Sequence, residues 1–255
     1  MTNLEPAQDM RLLLIIFALN EESDLEKTVR GLQALCSPEL VAGMVLLLAK
    51  SATEGCLRTA KALETAGFAI PVEVARQPSR DVLGCVKTVL GSRRHATHIM
   101  FLFADYFMES AAIADIIARA AQDRGTIYKF SRALPGGAFT PEYRPGEEWL
   151  YRLFSLFVRL LFRCGITDPV FQIMVAPVHL FWPTRFRQTS MVFGIEWVFT
   201  LLRNKISITE IPVVQLPRTG PGYKPTGNHR LHYLPITFRA RFAPKKCIWE
   251  EGDVA

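Results

Sequence analysis

Asp105 stands just beyond the apolar run Ile99-Met100-Phe101-Leu102-Phe103 and just ahead of Glu109-Ser110, which reads as a helix start. A carboxylate at the end of a strand can hold a divalent cation, and oxygen ligands suit Mg2+ or Mn2+ bridging a nucleotide diphosphate. It can equally terminate the strand or cap the helix. A second set of charges lies in Arg218-Thr219-Gly220-Pro221-Gly222-Tyr223-Lys224. Arginine and lysine on a glycine-bearing loop suit a clamp on oxyanions, although a solvated basic loop has the same composition. Near the start, Asn20 and Glu21 follow another apolar run. Glu21 can accept hydrogen bonds from a base or ribose, or serve the first turn of a helix.

These groups need elements to bring them together. Short apolar runs alternate with longer amphipathic stretches, the pattern of a mostly parallel sheet with helices on both faces. The spacing predicts strands near 11–17, 44–48, 71–75, 98–103, 126–130, 170–175 and 206–214. Helices are predicted near 21–35, 54–66, 81–95, 109–122, 147–163 and 194–203. Asn20, Ser23 and Asp24 signal a capped helix start, and Gly67 a stop before the next strand. Ligands of an open α/β sheet sit beyond the carboxyl ends of its strands. Asn20, Glu21, the loop from Lys50 and Ser51 to Gly55, and Asp105 are therefore expected around one crevice.

Composition narrows the class. With 255 residues, 49% of them hydrophobic, the chain can bury a full core. No apolar run reaches the roughly 18 residues of a membrane span, and the first residues do not read as a secretory signal. Five scattered cysteines with no C-x-x-C pair point to neither zinc nor a disulfide framework. The formal charge of +6 is uneven. From Ile211 to Trp249 there is no acidic residue, while Arg218, Lys224, Arg230, Arg239, Arg241, Lys245 and Lys246 accumulate. Such a segment suits an anionic partner. No helix-turn-helix or RNA-binding signature accompanies it, so nucleic acid is not expected.

Leu12-Leu13-Leu14-Ile15-Ile16-Phe17-Ala18-Leu19-Asn20-Glu21-Glu22 resembles the P-A-Y-N-E-E opening of the dolichol-phosphate mannose synthase-like glycosyltransferases. Echoes follow in the same order, through Ser131-Arg132, Thr167-Asp168-Pro169, Phe193-Gly194-Ile195-Glu196-Trp197 and Thr209-Glu210-Ile211-Pro212-Val213 to the Arg218–Lys224 loop. The resemblance implies the GT-A nucleotide-diphospho-sugar transferase fold. It implies that Asp105, at the second aspartate of a DAD motif, touches Mg2+ or Mn2+. It further implies that Arg132 orients the acceptor, that Glu196 presents an acid to it, that Asp168 belongs to the substrate site, and that Arg218 and Lys224 close over the diphosphate. The DDGSTDG motif of that family is replaced by Ala49-Lys50-Ser51-Ala52-Thr53-Glu54-Gly55, and the first DAD aspartate by Phe103. An ammonium only donates where a carboxylate only accepts. Phe171-Gln172-Ile173-Met174 stands in place of S-G-F-R. The phosphate end is thus kept and the nucleobase end lost, which implies an altered donor.

One helix bears on location. At about 100° per residue, Arg152, Arg159 and Arg163 gather on one side of the Trp149–Arg163 segment. Leu150, Leu153, Phe154, Phe157, Val158 and Leu161 gather on the other. This is a basic amphipathic helix suited to a bilayer interface, or a core helix with a basic outer face. The expectation is a GT-A-like domain over 1–217 followed by a basic clamp loop and tail over 218–255. Its expected activity is transfer of a sugar from a nucleotide sugar to a polyprenyl-phosphate or similar lipid-phosphate acceptor, at the cytoplasmic face of a membrane, with a membrane-anchoring partner subunit possible. Two alternatives remain open: a catalytically inactive glycosyltransferase-like subunit that docks, and a basic scaffold bound to anionic lipid.

Overall fold

β1 (Leu12–Ala18) is buried on both faces along its whole length. That is why it reads as an unbroken apolar run rather than an alternating one. The computed structural model describes residues 9–104, 108–141, 146–217 and 229–250, with the side chains of 229–232 outside the description. Around β1 the sheet is completed by β2 (Val41–Leu48), β3 (Val72–Arg76), β4 (His98–Phe103), β5 (Ile127–Ser131), β6 (Met174–Pro177) and β7 (Ile208–Pro212). The helices are α1 (Glu22–Leu35), α2 (Glu54–Glu64), α3 (Val82–Gly91), α4 (Ser110–Gln122), α5 (Glu147–Phe162), α6 (Phe193–Arg203) and α7 (His229–Phe242).

The strand order is β3-β2-β1-β4-β6-β5-β7. All neighbours are parallel except β6, which runs antiparallel to both β4 and β5. A reversed strand must start at the edge where the others finish. The chain therefore crosses the carboxyl edge at Thr167 and Asp168 before it enters β6. The order also reverses between β1 and β4, so a crevice opens there beyond the strand ends.

The period-two alternation of β1 divides the core in two. Leu12, Leu14 and Ile16 pack under α1, α2 and α4, and Leu13, Ile15 and Phe17 pack under α3, α5, α6 and α7. The expected strands and helices have counterparts, but the strand expected over 170–175 is displaced to Met174–Pro177 and runs in the opposite sense. α7 was not anticipated, because Pro235 and a run of cations mask its period. It lies on α6, with Ile236 and Ala240 buried.

The expected division of α5 needs correction. Phe154 packs on Phe199 and Tyr233, Phe157 on Phe238, and Val158 is buried. The exposed apolar residues are Trp149, Leu150, Leu153, Leu156 and Leu160; Trp149, Leu153, Leu156 and Leu160 fall at i, i+4, i+7 and i+11, with Leu160 71% and Trp149 63% exposed. The helix carries three stripes rather than two, and Arg152, Arg159 and Arg163 border the exposed apolar one. Phe238 and Phe242 of α7, the latter 64% exposed, continue this surface.

Trp197 of α6 is wholly buried against Phe101 of β4 and Phe181, and its indole Nε1 donates to Leu180 O at 3.1 Å. We predict that Trp197→Ala lowers stability by about 3–5 kcal/mol, read as a fall in the urea midpoint at unchanged slope. A loss under about 1 kcal/mol would show that this aromatic cluster does not hold helix to sheet.

Candidate functional site

At the β1–β2 end of the crevice the backbone is tightly tied. Ala49 N donates to Ala18 O at 2.9 Å, Thr53 N to Leu19 O at 3.0 Å, and Gln77 N to Leu48 O at 2.9 Å. Glu21 is buried and turns back on the strand, its Oε2 accepting from Leu19 N at 2.6 Å and Asn20 N at 2.9 Å. It is the N-cap residue of α1 by position, yet caps no helix N–H with its side chain. Thr53 caps α2 by accepting from Cys56 N at 3.1 Å and donates to Glu22 Oε1 at 2.5 Å. That last bond holds the Glu22 carboxyl below its ordinary value. A Cβ on Gly55 would lie 2.6 Å from Glu22 Oε1, so a larger residue there would displace the carboxylate from Thr53. Lys50 and Ser51 are exposed beside them. Asn20, Glu21 and Ser51 therefore do share one rim.

The β5–β7 end is built from buried charge. Lys129 of β5 lies in register with Glu210 of β7, and its Nζ is 3.4 Å from Glu210 Oε1. Lys129 also donates to Phe130 O at 3.0 Å and to Asp168 O. Glu210 accepts from Thr167 N and Oγ1, both at 2.6 Å, and from Asp168 N at 3.1 Å. Burial pushes the Lys129 ammonium below its ordinary value, against the pull of Asp168 and Glu210. Glu210 was read only as part of the Thr209–Val213 echo and Lys129 was not singled out. Their signal is a charged residue inside each strand, whose meeting depends on the pairing register.

Arg132 and Asp168 sit beside this pair. Arg132 Nε and Nη2 grip the two Asp168 oxygens at 2.7 and 2.9 Å, and Nη1 donates to Gln215 Oε1 at 3.0 Å. The guanidinium lies 4.4 Å from the Phe171 ring centre and 4.7 Å from that of Phe139. Burial alone would raise the Asp168 carboxyl, but Arg132, with Lys129 behind it, outweighs this and holds it below the ordinary aspartate value. The Arg132 expected to orient an acceptor thus has Nε, Nη1 and Nη2 all hydrogen-bonded inside the protein. Glu196, expected to present an acid to the acceptor, is likewise bonded internally. It is buried in the first turn of α6, accepting from Arg187 N and Gln188 N at 2.9 Å each and from Arg239 of α7. Its work is to tie α7 and the 187–188 loop to α6.

Asp105, Arg218 and Lys224 lie outside the described residues. Among the described residues no group of three or more His, Cys, Asp or Glu is placed to hold a metal ion. Glu21 is committed to backbone, and Phe103 has no ligand atom. The described cysteines form no disulfide, and burial pushes the Cys36 and Cys56 thiols up to about 11.

No protein-family model matches the chain, and no curated protein matches it in sequence. Solved structures match it in shape. Glucosyl-3-phosphoglycerate synthase from Mycobacterium tuberculosis, in complex with phosphoglyceric acid, superposes with a TM-score of 0.68 at 15% identity, covering 92% of this chain and 81% of that one. The chain has the GT-A fold. A crystal structure described as a mycobacterial protein gives a TM-score of 0.68 at 16% identity over 92% of this chain and 76% of that one. The same synthase bound to Mn2+, UDP-glucose and phosphoglyceric acid gives 0.66 at 14% identity, over 92% and 81% of the two chains. At such identities the likeness is one of fold.

The Arg132–Asp168 pair makes stability pH-dependent in a defined direction. Its contribution is present above the unfolded aspartate value of about 3.9 and is lost as pH falls through the depressed native value. We predict that Asp168→Asn costs about 3–5 kcal/mol at neutral pH by stranding a buried guanidinium, and flattens the acid limb of the stability profile. Urea titrations across the acid range would check this; parallel acid limbs in the two proteins would refute it.

Proposed function

We propose that this protein is a glycosyltransferase that moves a sugar from a nucleotide diphosphate donor to a polyprenyl-phosphate or similar lipid phosphate. It would act as a peripheral protein at the cytoplasmic face of a membrane, with or without an anchoring partner subunit, in the manner of the dolichol-phosphate mannose synthase-like enzymes. The GT-A fold, shared with a synthase solved with UDP-glucose, Mn2+ and a phosphate-bearing acceptor, supports the reaction class. The observation that carries the lipid acceptor is the exposed Trp149-Leu153-Leu156-Leu160 stripe, bordered by arginines and extended by Phe238 and Phe242. An apolar helix face with tryptophan at one end and cations along its edge suits the headgroup boundary of an anionic bilayer. No helix among the described residues is long and apolar enough to cross a membrane, so attachment would be through such a surface.

The proposed site is a GT-A-like domain over 1–217 with a basic clamp over 218–255. Asp105 is assigned to Mg2+ or Mn2+, since one carboxylate plus the donor's own phosphates is a sufficient set for a hard cation. The bound ion would offset charge on the leaving diphosphate. Arg218 and Lys224 would neutralise the same oxygens, and Asn20, Glu21 and Ser51 would form the donor's rim. An acceptor phosphate is already anionic, so no strong general base is needed, and catalysis becomes positioning and charge stabilisation with inversion at the anomeric carbon. Arg132, Asp168 and Glu196 would act through the loops they hold.

A specific observation favours a second reading, that of an inactive docking subunit. Ala49, Lys50 and Phe103 stand where carboxylates would be needed, and Arg132 and Glu196 are occupied internally. The two readings diverge in measurement. For a transferase, a panel of nucleotide sugars with Mn2+ yields turnover, and Asp105→Asn lowers it by at least about a hundredfold. Binding without turnover would establish the subunit instead. For the surface, we expect flotation with anionic liposomes that weakens with salt and is abolished by Leu156→Glu with Leu160→Glu. Both positions are exposed, so the fold should survive. Unchanged flotation by the folded double variant would rule out α5 as the membrane face.

A further inference from the structure

The β2–β3 end of the crevice has the opposite hydrogen-bonding polarity from a site that reads base N–H groups. Arg76 closes β3 at the carboxyl edge, and its Nη2 lies 3.5 Å from Lys50 O at the end of β2. This contact is to the Lys50 backbone carbonyl and brings the Arg76 guanidinium to the same stretch of rim as the exposed Lys50. Arg80, exposed on the loop that leads to α3, stands on the same rim. Among the described residues none of these three has an ion-pair partner, whereas the neighbouring carboxylates are mostly committed. Glu21 accepts from Leu19 and Asn20, Glu22 from Thr53, and Asp81 caps α3 by accepting from Gly84 N at 2.8 Å. Glu54, on the first turn of α2, is exposed. The amino ends of α1, α2 and α3 also point to this edge and add positive potential. What remains free to meet a ligand here is chiefly donor: Lys50, Arg76, Arg80 and the Ser51 hydroxyl.

We infer that this end of the crevice binds an anionic group, a phosphate carried on the ribose of the nucleotide in addition to its 5′-phosphate, with Lys50 and Arg76 as the reading residues. The inference rests on the proposed nucleotide-binding role of the crevice. Guanidinium and ammonium groups together give both the forked and the point-charge contact that phosphate oxygens take. A carboxylate at Lys50 would select against the same group by repulsion.

The test is calorimetric titration of the full chain with adenosine 5′-monophosphate, adenosine 2′,5′-bisphosphate and adenosine 3′,5′-bisphosphate, with UDP as a separate arm. One of the bisphosphates is expected to bind at least about tenfold more tightly than the monophosphate. That preference should disappear in Lys50→Ala with Arg76→Ala, two exposed positions whose replacement leaves the circular dichroism unchanged. Lys50→Asp should lower bisphosphate affinity while raising that for UDP. If UDP binds but neither bisphosphate exceeds the monophosphate, the inference fails and the nucleotide role stands. A preference that survives the double variant places the second phosphate elsewhere and also overturns it. Binding of none of the four ligands would remove the nucleotide role and the inference together.

Discussion

Where β5 meets β7, a lysine with no solvent exposure faces a glutamate, and an arginine grips an aspartate one step further along. Isolated charges at such depth would cost several kcal/mol each, so each is viable only because the others are in place. The requirement is geometric. Lys129 and Glu210 meet only if β5 and β7 pair in parallel in the observed register. Arg132 and Asp168 meet only if the chain returns along the carboxyl edge before β6. Once satisfied, the set locks the strand that leads out of β7, through Gln215, to the wall of the crevice. A one-residue slip of β7 against β5 would part Lys129 from Glu210 and leave both charges buried without each other, which penalises alternative registers.

The two ends of the crevice follow from this asymmetry. On the β5–β7 side the polar groups are spent on one another, and aromatic rings of Phe139 and Phe171 cover the guanidinium. That side acts as a rigid wall. On the β1–β3 side Glu21 and Asp81 fold back onto backbone N–H groups and Glu22 onto the Thr53 hydroxyl, while Lys50, Arg76 and Arg80 are exposed, so the free chemistry is chiefly donor chemistry. A tightly tied backbone underneath, with the ends of β1, β2 and β3 bonded to one another's loops, lets such side chains be set with little movement. The apolar face of α5 lies on the far layer from α1 and α2, where α6 and α7 support it from below through Phe199, Tyr233 and Phe238.

Much of this architecture was legible in the order of residues. Continuous apolar runs at Leu12–Ala18 and His98–Phe103 specify strands buried on both faces, and the intervening amphipathic segments specify helices that cover them. The crevice position follows from the fold class, so Asn20, Glu21 and Ser51 could be grouped before any contact was known. The direction of β6 was not legible, since a short apolar run is identical in either sense. α7 was hidden by Pro235 and its cations.

Periodicity along one segment, a matter of bond geometry, was thus determined by the sequence alone: the elements, their order, and the cationic replacement at Lys50. Which groups remain free was decided by the tertiary structure. Arg132 and Glu196 look like available functional groups in the chain, and become internal ties only when Asp168, Arg239 and the 187–188 loop are brought to them. Leu150, Leu153, Phe154, Phe157, Val158 and Leu161 look like one apolar face in the chain, and divide into exposed and packed residues because α6 and α7 cover only part of it. A helix wheel shows which residues share a face; it cannot show which face a neighbour covers, because that depends on contacts between segments far apart in sequence.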